Sequence, residues 1–171
     1  MTTNKENGMA QWETMTRLFD LLREMATEFA STLPEQHFNE PRGGSNSPKW
    51  ITGHLALGMD FGLSLLGEPT KEIEVMMPLY GPGSPGGRVD DSKTCAELVE
   101  HLRSVGDRLK EKVPTVSDEV LGQPQSTPFL STELPTVGDL LGHIYTTHLA
   151  LHTGQLSQIR RELGLPSLYQ F

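Results

Sequence analysis

Cys95 is the only cysteine in this 171-residue chain. A single thiol cannot close an intrachain disulfide, so nothing in the sequence calls for an oxidising compartment. Long apolar runs are missing as well; none approaches the ~20 residues needed to span a bilayer. The opening MTTNKENGMAQWE lacks the apolar core of a signal peptide. A soluble, cytoplasmic protein with no membrane partner is therefore expected. Basic charge is scarce too: 14 Lys and Arg stand against 22 Asp and Glu, for a net charge of -8. Nucleic-acid binding needs clustered cations to meet phosphates, and no basic stripe exists here. Arg160 and Arg161 read instead as cations favourable to the C-terminal end of a helix dipole.

What is present is helical periodicity, in four stretches divided by loops rich in Pro, Gly and Ser, over a length that fits one domain, 1–171. The first runs from about Met9 to Leu33, with Trp12, Met15, Phe19, Leu22, Ala26 and Phe29 on its seam and Pro34 as its stop. The second opens at Ser47-Pro48, a cap residue followed by proline at the first helical position, and closes at Gly67 and Pro69. The third begins at Thr94-Cys-Ala-Glu97, a capping-box pattern, and ends before Pro114. On its apolar stripe, Cys95 reads as a small buried hydrophobe. The fourth runs from Thr136 to Gly164. No stretch shows sustained strand alternation, although Ile73–Leu79 could be briefly extended. The pattern predicts an all-α four-helix bundle.

The seam of the fourth helix carries four polar residues in succession: Tyr145, His148, His152 and Gln155. Burying one unpaired polar group costs ~1–3 kcal/mol, so four need partners. His54 lies on the seam of the second helix. At 1.5 Å per residue it stands roughly 9 Å along that helix, while His148 and His152 stand roughly 17 and 23 Å along theirs. In a bundle about 30 Å tall the three depths coincide only if the two helices are antiparallel. That requires up-down-down-up order, whose middle connection must cross the whole bundle. Residues 68–92, Pro- and Gly-rich, are long enough at ~3.3 Å per residue.

Three neutral imidazoles meeting in a helical core suit a divalent transition metal, with coordination positions left over for water or substrate. Gly58, Gly62 and Gly154 would leave room beside an ion, or serve close helix packing. Tyr145 and Gln155 are placed to orient a ligand. His37 falls in a loop, His101 off its stripe, and His143 about 140° around the helix from His148 at 100° per residue. All three are expected outside the site. The alternative is a metal-free histidine–tyrosine–glutamine hydrogen-bond network.

WITGHLALGMDF in the second helix and HLALHTGQLSQIRRELGLPS in the fourth resemble the DinB/YfiT-like superfamily of metal-binding bundles. The resemblance implies zinc or nickel held by His54, His148 and His152, an up-down-down-up bundle, and a homodimer. It also implies a possible S-transferase activity joining a low-molecular-weight thiol to a small electrophile. A metal-dependent hydrolase and a non-catalytic binding or sensing bundle stay open. No catalytic residue beyond the ligands is legible. The 68–92 and 114–135 connections are expected to shape the substrate pocket.

Overall fold

The computed structural model describes residues 3–169, with side chains from Trp12 onward. Among them every long element is a helix, and pairing of extended backbone is limited to one isolated bridge, Pro124 with Thr136. The longest helices are α1 (Thr3–Ser31), α3 (Pro48–Leu65) and α5 (Cys95–Lys112), with α2 (Glu35–Phe38) a single turn between the first two. The helix ends follow from local chemistry. Ser47 accepts a hydrogen bond from the Trp50 amide with Pro48 just inside, and Thr94 with Glu97 forms a reciprocal capping box. Thr136 and Asp139 repeat that device before α7 (Val137–His143).

Two departures from the expected elements matter for the site. The crossover contains α4 (Glu72–Tyr80), across the stretch that could have been extended. Glu72 and Glu74 favour its N-terminal end, and Met76 and Tyr80, four apart, are buried against the body of the protein. Tertiary burial outweighs the weak local preference, and Pro78 near the C-terminal end removes only one helical hydrogen bond. The 114–135 connection likewise holds a single turn, α6 (Asp118–Leu121).

The second departure lies in the last helix. After α7 the chain makes a π turn (Ile144–His148), then continues as α8 (Leu149–Glu162), with right-handed helical dihedrals at both junctions. An inserted π turn shifts the face presented by everything before it relative to everything after it.

Contacts fix the running directions. From His54 to Gly58 to Gly62, α3 meets His152, His148 and Leu141 in turn, so it opposes the last helix. Met59 lies by Gly106 and Gly62 by Leu109, so α3 and α5 run the same way. Asp20 pairs with Lys110 at 2.5 Å and Arg23 with Asp107 at 2.6 Å, placing α1 against α5 in the opposite sense. Phe19, Ile51, Leu63, Leu98, Leu102, Leu109, Leu141 and Leu156 fill the space between these helices. Cys95 is buried among them, and its Sγ–H donates to the Ala30 carbonyl at 3.4 Å. Burial, with help from Glu35, pushes its thiol up to about 11. No helix is long and apolar enough to cross a membrane among the described residues.

Candidate metal centre

His54 projects from the second turn of α3 toward the last helix, where His148 and His152, four residues apart, stand one above the other. The three rings form a near-equilateral triangle. Centroids are 4.9 Å apart for His54 and His148, and 4.7 Å for each of the other two pairs. One nitrogen from each ring lies within 4.8 Å of the others, the one such grouping of metal-ligating side chains found among the described residues. His54 and His152 are 9 % and 8 % exposed, and His148 is more open.

Hydrogen bonds set the outward faces of two rings. His54 Nδ1–H donates to the Tyr80 carbonyl oxygen at 2.6 Å; a carbonyl only accepts, so the proton sits on Nδ1 and Nε2 carries a lone pair. His152 Nδ1–H donates to Gln155 Oε1 at 2.7 Å, with the same consequence. His54 Nε2 lies 3.0 Å from His148 Nε2. With His54 Nε2 as the acceptor, this approach fits either a His148 Nε2–H donating to it or a cation held between the two nitrogens. An ion about 2.1 Å from each nitrogen brings its ligand atoms roughly 3.0–3.4 Å apart, so this pair already has a suitable separation.

Electrostatics agree. Burial, then the neighbouring His152, pushes His54 down to about 4, against a smaller upward effect of its bond to Tyr80. Burial, followed by the other imidazoles, holds His148 well below its ordinary value. Burial also lowers His152, although its bond to Gln155 opposes this. All three are neutral near pH 7 and present nitrogen donors to a cation.

The surroundings of His54 are built with care. The Trp50 indole stacks on it at 4.4 Å and 12°, and Trp50 Nε1–H donates to Ser84 Oγ at 2.7 Å. The Tyr80 ring lies flat against Gly53, where a Cβ would come within 2.3 Å of it. Tyr80 donates its hydroxyl to Asp91 Oδ2 at 2.6 Å, and Lys49, itself buried, pairs with Asp91 Oδ1 at 2.6 Å. Lys49, Asp91 and Gly53 thus fix Tyr80, whose carbonyl at the end of α4 fixes His54.

Of the residues expected beside the three histidines, Gln155 is there and Tyr145 is not. Tyr145 turns into the core, stacked on Phe19 at 4.2 Å, with its hydroxyl donating to the Leu109 carbonyl at 3.4 Å. His143, expected far from His148, lies 5.6 Å from it between ring centroids. One cause explains both. In the π turn, residues five apart come into line, so 143 aligns with 148 while 145 rotates away. His143 Nδ1 is 2.6 Å from Thr147 Oγ1. His101 pairs with buried Asp60 at 2.7 Å, and His37 with Glu40 at 2.8 Å, both away from the triangle. Gly58 is the glycine that makes room at the triangle: a Cβ there would stand 3.0 Å from His148 Cε1. Gly62 serves packing against Leu109 and Leu141 instead, and Gly154 faces open space.

Beside the triangle opens a cavity of about 230 Å³. His54, His143 and His148 form one wall; the others are Leu57, Gly58, Phe61, Met77, Pro82, Phe129, Leu130, Leu140 and Ile144. Both long connections contribute, Met77 and Pro82 from the crossover and Phe129 and Leu130 from the segment before α7. Trp50 was detectable in the sequence, four residues before His54 on one helix face. Tyr80 carried no such signal, because it acts through its backbone.

No curated protein sequence matches the chain. Residues 18–156, which include all three histidines, match the DinB superfamily, and the chain belongs to that family.

Proposed function

We propose that this protein is a metal-dependent enzyme in which His54, His148 and His152 hold a divalent transition ion, zinc or nickel, and which transfers a low-molecular-weight thiol to a small electrophile. The observation that carries the reading is the 3.0 Å approach of two inward-facing imidazole nitrogens, with the third ring 4.7 Å from each by centroid. Bound there, such an ion supplies Lewis acidity, lowering the pKa of a thiol or water beside it. The chain does the rest. Tyr80 and Gln155 hold two of the rings in the donor tautomer, and the apolar walls offer water few partners in the adjoining cavity.

No Asp or Glu lines the cavity among the described residues, and His143 is the one side chain on its wall, outside the triangle, able to act as a base toward a thiol or water. The cavity's opening onto His54 and His148 favours turnover over simple metal storage or sensing. With this reading go a cytoplasmic location, a homodimer, an up-down-down-up bundle supported by the opposed contact order of α3 and the last helix, and neither nucleic acid nor membrane as partner.

Elemental analysis of the purified protein, then zinc and nickel titration of wild type, His54→Ala and His152→Ala, tests the site. About one ion per chain is expected in wild type, with affinity lost in both variants. A screen of glutathione, bacillithiol and mycothiol against alkyl and aryl electrophiles tests the chemistry. A metal-loaded protein inert to every thiol overturns the transferase reading.

A further inference from the structure

The geometry points to a substrate class for this cavity: compact, uncharged apolar molecules about the size of a substituted benzene, admitted past a lip made by Phe129 and Leu130. The consequence for catalysis rests on the proposed function; the binding itself does not.

Size and lining come first. An apolar cavity of ~150 Å³ suffices for benzene, and this one measures about 230 Å³. Beyond the imidazoles its walls are carbon and the Met77 thioether, so a charged or polyhydroxylated molecule would lose its hydration with little in return.

The lip carries the second argument. Phe129 and Leu130 are 41 % and 46 % exposed, large apolar side chains left at the mouth rather than folded into the core. Leu130 has φ +49°, the one non-glycine residue in the left-handed region among those described. That conformation disfavours a leucine and suits a glycine. A leucine held there against its backbone preference is explained by where its side chain stands, at the cavity wall.

The loop behind the lip is firmly built. Its neck is closed by Gln125 N–H to the Pro135 carbonyl at 3.0 Å and Val137 N–H to the Gln123 carbonyl at 2.9 Å. Inside it, Gln125 is only 8 % exposed and spans the loop. Its Nε2 donates to the carbonyls of Phe129 at 2.8 Å and Leu134 at 3.1 Å, while Oε1 accepts from the Thr127 amide at 3.0 Å. One buried side chain thus sets the position of the backbone that presents both lip residues, which lowers the ordering cost of binding.

Fluorine NMR of the zinc-loaded protein tests this with two probes, 4-fluorotoluene and the polar ring 3-deoxy-3-fluoroglucose. Saturable binding of the first, at least tenfold tighter than the second, is expected. Leu130→Gly relieves the backbone and keeps or raises the melting temperature, yet weakens 4-fluorotoluene at least fivefold; Phe129→Ala weakens it similarly. Zinc affinity, measured on the same samples by chelator competition, stays at the wild-type value in both. Wild-type affinity for 4-fluorotoluene in both variants, or equal binding of the two probes, overturns the inference. Loss of zinc binding with probe selectivity intact overturns the metal reading alone, and zinc binding without probe binding overturns this one alone.

Discussion

The Nδ1 protons of His54 and His152 are both spoken for, one by a backbone carbonyl and one by a glutamine amide, and each bond turns Nε2 inward. Partners of this kind typically carry a 10–100-fold effect on metal affinity. Gln155→Ala should therefore weaken zinc by about tenfold or more in a chelator competition, with the melting temperature of the metal-free protein little changed. The depressed histidines also set a pH dependence. His54 binds its proton at about 4 when folded and near 6.5 when unfolded. Between those values the unfolded chain holds more protons, so stability rises with pH across the window and is lost as pH falls through it. At 1.36 kcal/mol per unit, His54 alone accounts for about 3 kcal/mol. Urea denaturation of the metal-free protein at pH 7, 6 and 5 should show a falling midpoint, and His54→Phe should flatten the trend. The histidine triangle was legible because spacing and helix depth are additive quantities. Tyr145 and His143 were not, because a fixed 100° per residue fails across a π turn.

Among the elements, α4 contributes more than a connection of its length normally would. Its C-terminal carbonyl orients His54, Met77 walls the cavity, and Tyr80 ties it to Gly53 on α3 and to Asp91. Gly53→Ala would drive a Cβ to within 2.3 Å of the Tyr80 ring. The shift this forces should cost roughly 1–3 kcal/mol in denaturant unfolding. Because the carbonyl moves with the ring, zinc affinity should fall as well. A stability loss with undiminished zinc affinity would separate α4 from the site. Sequence patterning did not expose this helix: nine residues with a proline give little periodicity, and its helicity comes from the burial of Met76 and Tyr80. The long helices were readable because their seams are long and their caps, Ser47, Thr94 and Thr136, are explicit.

For the molecule as a whole, the three histidines come from two helices far apart in sequence, so the proposed metal site can form only in the folded state. Free zinc at 100 times its dissociation constant should add about 2.7 kcal/mol to stability. Thermal unfolding with zinc, then with excess chelator, should show that gain and its reversal; His152→Ala should show neither. The antiparallel pairing behind this coupling was foreseeable from a long crossover and three matching depths. The cavity's shape was not, since it depends on loop conformations, above all at Phe129 and Leu130, that no periodic pattern encodes.

The indole stacked face to face on His54 at 4.4 Å makes the protein its own optical gauge. The described chain has one other tryptophan, Trp12, which packs edge-on to Tyr145 across the core. A paramagnetic ion such as nickel at the histidines should quench the emission of Trp50, whereas closed-shell zinc should merely shift it. Occupancy and metal identity would then be read from one spectrum without any label, with Trp50→Phe as the silent control.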